Sequence, residues 1–310
     1  MNTKKILLFI GLTFLVDWII AAIFLVIKGP GYTQLFLVVG VIYMFVPMVM
    51  AIIIQKFIYK EPLKEPLGIS FKFNRWFLVA WLLPAIIAFA TLGVSLLLPG
   101  VEYSPDMTGF LERFKNTVTP EQLQKIKEQV TGLPVHLIWL TLLQGLVAGI
   151  TVNAVAGFGE ELGWRGFLQK ELGVLGFWRA SVIIGAIWGI WHAPLILQGL
   201  NYPQHPVIGV PMMIIWCILL APIFSYVRLK SKSVIAAAII HGSLNAVAGV
   251  PIMVIKGGDD LLVGITGFAG LIVLLLINIC IFCYDRFLAK EPITLKYETS
   301  DQERNARAGL

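Results

Sequence analysis

The sequence predicts an all-α integral membrane protein, a polytopic bundle of about eight transmembrane helices, and three observations predict it. Of 310 residues, 58% are hydrophobic and 14% charged, and the mean hydropathy of +0.84 is far above that of a soluble domain. Several apolar runs are near the ~20 residues needed to cross ~30 Å of hydrocarbon. The Lys and Arg of the connections alternate between rich and poor, as in a chain threaded back and forth through a bilayer.

The apolar runs lie near 6–27, 33–56, 76–98, 134–157, 178–198, 207–227, 233–253 and 261–284. The first follows Lys4 and Lys5 and resembles a signal peptide, but it is too long and lacks a small-residue cleavage site, so it reads as the first span. Basic residues crowd both tails and the even-numbered connections (Lys56, Lys60, Lys64, Lys72 and Arg75 after the second run), which places both termini in the cytoplasm. The long third connection, Gly100 to Leu133, mixes Arg113, Lys115, Lys125 and Lys127 with five acids. Within it, Thr119-Pro120-Glu121 reads as a helix start, and Leu123, Ile126 and Val130 form one apolar stripe, so a short amphipathic helix is expected there, either lying on the outer surface or, the plainer reading, simply packed as a loop helix. The tail from Glu291 is polar enough to be disordered. The chain thus divides into N-terminal spans with the outer loop (1–134), a core (135–250), a last helix (251–290) and a tail (291–310).

Composition also excludes partners. The net charge of +6 comes from scattered loop residues rather than a basic patch, so nucleic acid is not expected; the bilayer is. Cys217, Cys280 and Cys283 all fall inside apolar runs and suggest neither disulfides nor a metal knuckle.

Against this background Gly159-Glu160-Glu161-Leu162-Gly163-Trp164-Arg165 needs explaining, because an ionised group at the bilayer centre costs roughly 2.5–3.5 kcal/mol. On a helix Glu161 and Arg165 are an i,i+4 pair and satisfy each other, which leaves Glu160 about 100° away as a candidate general base. The plainer reading is that all three mark the cytoplasmic end of a span. Two other runs carry polar groups: Trp188-Gly-Ile-Trp-His192 in the fifth, and His241-Gly-Ser-Leu-Asn245 in the seventh, with its two donors one turn apart. Asp17 reads as an interhelical hydrogen bond, as do Gln144 and Asn153, and Asn153 extends a polar stripe toward Glu160 if its helix is continuous.

A carboxylate, a histidine and a His/Asn pair on three spans are the parts needed to hydrolyse a peptide bond with water. Glu160 would take the proton, His192 hold the water, and His241 with Asn245 stabilise the oxyanion. Neither Ser nor Cys has a nucleophile's context, since no G-x-S-x-G elbow is present.

The order Glu160-Glu161-x-x-x-Arg165, aromatic-x-x-x-His192, His241-x-x-x-Asn245, over roughly Val135 to Val250, resembles the CPBP family of type II CAAX prenyl endopeptidases and related bacteriocin-processing or self-immunity proteins. The resemblance implies an intramembrane protease with Glu160 as base, His192, His241 and Asn245 completing the site, and Glu161, Arg165 and Trp188 supporting it. Trp188 stands where the family usually has Phe, a difference expected to change packing more than chemistry. The expected location is the plasma membrane of a prokaryote and the expected substrate a prenylated, bacteriocin-type or other membrane-anchored peptide, with no cofactor. Three rivals stay open: a zinc-dependent version with Glu160, His192 and His241 as ligands, a non-catalytic scaffold or immunity protein, and a proton-coupled carrier.

One tension remains at this stage. Glu160 falls at the end of the fourth run while His192 lies ~20 Å into the fifth. The helix carrying Glu160 is therefore expected to run on, with the true connection near Lys170 to Phe177.

Overall fold

The computed structural model describes residues 1–27, 32–114 and 135–294, together with 121, 124, 125, 128 and 133. The stripe expected at Leu123, Ile126 and Val130 lies outside the described residues, as does the tail beyond Thr294. Helices α1 (Thr3–Ile27), α2 (Tyr32–Ile52, continued by a π-helical turn over Ile53–Ile58) and α3 (Arg75–Ser95) come first. A short α4 (Thr108–Phe114) follows the strand β1 (Glu102–Tyr103), which pairs antiparallel with β2 (Ile255–Lys256). Then come α5 (Leu137–Ile150), α6 (Val152–Glu161), a π-helical segment Leu162–Leu168 and the single turn α7 (Gln169–Leu172). The chain closes with α8 (Phe177–Trp191), the turn α9 (Ala193–Ile196), α10 (Pro206–Ser231), α11 (Val234–Val247) and α12 (Phe268–Phe287).

Each of the eight apolar runs contains a helix, but they are not eight equal spans. Among the described residues six helices are long and apolar enough to cross a membrane alone. A seventh span requires α5 and the segment from Val152 to Leu175 together, and these meet at a 50° bend. The bend sits at Thr151, whose φ of −119° and ψ of −106° are not helical and whose hydroxyl bonds back to the Val147 carbonyl at 2.8 Å. Helix α8, at 15 residues, is too short to cross ~30 Å at ~1.5 Å per residue. Its end is set by sequence: Pro194, two residues past His192, cannot supply the N–H that continues the ladder.

Local caps explain several starts. Asn74 Oδ1 accepts from Trp76 N at 3.0 Å ahead of α3, and Ser233 Oγ from Ile235 N at 3.1 Å ahead of α11. His136 does the same for α5 through Nδ1. Helix α11 is the most buried span and packs on α3, α5 and α6, while α8 lies along α10. At one end of the bundle the Lys5 ammonium ties α1 to Glu61 (2.7 Å) and Glu171 (3.0 Å), with Lys170 bridging the same acids. Of the tail expected to be disordered, Ile293 and Thr294 are bonded to the Asp285 carboxylate.

Candidate active site

The helix carrying Glu160 does run on. It passes from α6 through the π segment and α7 to Leu175, and the chain turns at Gly176, whose φ of +86° favours glycine. Helix α6 is clamped between two neighbours at backbone distance. A Cβ on Gly242 of α11 would lie 2.5 Å from Ala154 N, and one on Gly159 of α6 would lie 2.6 Å from the Met44 carbonyl oxygen of α2. Only small residues permit such approach, and it brings both carboxylates inside the bundle, Glu160 at 3% exposure and Glu161 at 0%.

Glu161 Oε1 accepts from Arg165 Nη1 at 3.1 Å, the expected i,i+4 pair, and also binds His241 Nδ1 at 2.8 Å. A carboxylate oxygen beside Nδ1 fixes that nitrogen as the N–H, so Nε2 faces the other acid, 3.8 Å from Glu160 Oε1. That gap is too long for a direct hydrogen bond and suits a group held between the two. Glu160 Oε2 accepts from Trp188 Nε1 at 2.7 Å. His192, just past α8, uses Nδ1 to donate to the Trp188 carbonyl at 2.8 Å, which leaves Nε2 as its acceptor. A cavity of about 420 Å³ is lined by Glu160, His192, His241 and Asn245, with Trp188 and Trp216. His241 is buried in its wall and Asn245, one turn further, is exposed. The three motifs, distant in sequence, therefore share one cavity.

Several expectations change. Trp188 is more than a packing substitute for Phe, because a phenyl ring has no N–H to give Glu160. The polar stripe through Asn153 does not reach the site: Asn153 is half-buried, packs its backbone on Gly242 and is not among the residues of the cavity wall. Gln144 is exposed, with no side-chain hydrogen bond among the described residues. Asp17 makes the interhelical bond read from the sequence, accepting from Trp191 Nε1 at 2.6 Å. Sequence reasoning missed Tyr43, whose hydroxyl donates to the Trp191 carbonyl at 2.8 Å, and Trp191 itself. Together they brace the end of α8 beside His192; Trp191 was signalled only by its place next to a histidine, and Tyr43 by nothing.

The residues named for a metal do not form a compact donor set. Among the described residues the one group of three whose ligand atoms lie within 4.8 Å of one another is His205, Asp259 and Asp260, near β2. There the bond from His205 Nδ1 to Asp260 Oδ1, 2.7 Å, raises the imidazole pKa above its usual value.

Residues 135–247 match the family model of Rce1-like type II CAAX prenyl endopeptidases. A CAAX prenyl protease 2 of Methanococcus maripaludis is 33% identical over 96 residues, 28% of this chain and 34% of that protein, so the match spans about a third of the relative's length. The three motifs gathered round one cavity lie inside the matched segment, so residues 135–247, just over a third of this chain, are similar in sequence and in the order of their motifs to the type II CAAX prenyl endopeptidases.

Proposed function

We propose that the chain is an intramembrane endopeptidase that cleaves a membrane-anchored peptide, of the prenylated CAAX-like or bacteriocin type, with water activated by Glu160. The observation that carries this reading is the 3.8 Å gap between Glu160 Oε1 and His241 Nε2, opening on a cavity that His192 and Asn245 also line. Water held there, with His192 Nε2 accepting one of its hydrogens, gives a proton to Glu160 while its oxygen adds to the scissile carbonyl carbon. The oxyanion that forms accepts from Asn245 and His241. His241 donates there as an imidazolium, because its Nδ1 hydrogen is committed to Glu161, and that carboxylate offsets the charge. Collapse breaks the C–N bond, and the proton on Glu160 passes to the departing amine.

The test uses the full chain in detergent with a prenylated Cys-containing peptide. Wild type cleaves it, Glu160→Gln lowers the rate by about 10² to 10⁴ with folding intact, and strong chelation changes nothing. Loss on chelation with recovery on adding zinc would move the reading to a metal enzyme. A Glu160→Gln chain that keeps the full cellular phenotype would make the protein a scaffold or immunity protein. We also place both termini in the cytoplasm, a reading supported by the meeting of Lys5, Lys170 and Arg228 with the loop at Glu61–Gly68 at one end of the bundle. A reporter fused at residue 310 that is active only on the outer side overturns it.

A further inference from the structure

A second cavity, of about 290 Å³, is lined by Arg165, Lys170, Gly176, Phe177, Ser181 and Arg228 among others, with no Asp or Glu in its wall. Its cations are short of partners. Arg165 is 1% exposed; Nη1 holds Glu161, while Nε and Nη2 have no hydrogen-bond partner and the guanidinium rests on the Trp188 and Phe224 rings. Arg228 forms no ion pair among the described residues: one Nη2 reaches the Leu67 carbonyl at 3.4 Å, and its buried Nε has no partner. Lys170 adds less, since its ammonium is held by Glu61 and Glu171.

The same cavity receives the start of α8. The cap residue Gly176 has no side chain to bond the first-turn N–H groups, and α8 is long enough at 15 residues to carry a dipole. A guanidinium beside an uncapped helix start, with a second guanidinium buried opposite, is an anion site by charge and by hydrogen-bond supply alike. The rim at Lys170, Gly173 and Gly176 is partly exposed, so the cavity is reached from the surface.

We propose that this cavity binds a phosphate-type oxyanion, either the headgroup of an anionic phospholipid or a free phosphate, between Arg228, Arg165 and the N-terminus of α8. The site shares Arg165 with the support of the candidate active site but does not rest on the protease reading, and binding rather than cleavage tests it. The full-length protein is purified in detergent and titrated with inorganic phosphate against chloride at equal ionic strength, following the thermal transition. In parallel it is placed in nanodiscs of phosphatidylcholine with or without phosphatidic acid, and co-purified lipid is identified by native mass spectrometry. Stabilisation by phosphate identifies the free anion as a ligand; retention of phosphatidic acid without a phosphate response identifies the headgroup. In either arm Arg228→Gln weakens binding tenfold or more, while Arg179→Gln, which removes an exposed cation from the first turn of α8, leaves it unchanged. Ser181→Asp, which sets a tethered carboxylate in the wall without removing a cation, blocks binding too and covers the case of a poorly folding Arg228 variant. No binding in both arms, or equal weakening by Arg179→Gln, overturns the site.

Discussion

Two clusters of charged residues tie this bundle together, and they differ in how completely they are satisfied. In the rim cluster Lys5 meets Gln55, Glu61 and Glu171, Lys170 meets the same three, and no buried side-chain nitrogen or oxygen of the group lacks a partner. In the cavity cluster Glu161 Oε2 and two Arg165 nitrogens have none, and Glu160 stands off from His241. Both clusters are held by elements remote in sequence, so tethering alone does not explain the difference. A cluster that walls a cavity can leave hydrogen-bond capacity open to a bound group, whereas a staple is most stable when it has none.

The comparison breaks most directly on stability. Glu161→Ala removes the acceptor of a buried arginine and a buried histidine at once, and losing one partner of a buried ion pair costs about 3–5 kcal/mol. Lys5→Met keeps the stem volume and leaves Lys170 to serve both acids, one of which is well exposed, so a loss of about 1 kcal/mol is expected. Chemical denaturation of the two variants in the same detergent checks this. Equal losses would mean that the two clusters are staples of one kind.

The next largest effect concerns rate. On the proposed mechanism, in which they donate to charge present only in the transition state, His241→Ala and Asn245→Ala should each lower turnover about 10² to 10³-fold, about 2.7–4 kcal/mol, with peptide binding nearly unchanged. Single-turnover and binding measurements separate the two. If binding is what fails, the pair positions substrate and the oxyanion role passes elsewhere.

What the sequence made legible was local. Apolar runs set the helices, the spacing of Glu161 and Arg165 set their ion pair, and the misfit in depth between Glu160 and His192 was enough to extend one helix and move its connection. What stayed hidden depends on contacts between segments far apart. Thr151 carries no proline signal, yet the helix bends 50° there. The π-helical stretch after Glu161 has no composition of its own. The second bond of Glu161, to His241, joins residues eighty positions apart, and no periodicity reports it.

Trp188 is the finest test of the difference between the clusters, because there the sequence reading and the structure part. If its ring only fills space, Trp188→Phe alters packing and leaves chemistry alone. If its Nε1 hydrogen bond to Glu160 Oε2 orients the carboxylate so that Oε1 faces His241, the same change frees the carboxyl to rotate and removes a stabilising donor. The expected result is roughly a tenfold loss in turnover, about 1.4 kcal/mol. The pH–rate profile should shift upward as well, since a carboxylate that loses a donor becomes a stronger base. That shift is what a packing role cannot produce. A Trp188→Phe enzyme with reduced stability but an unmoved profile would return Trp188 to the scaffold and leave Glu160 oriented by its helix alone.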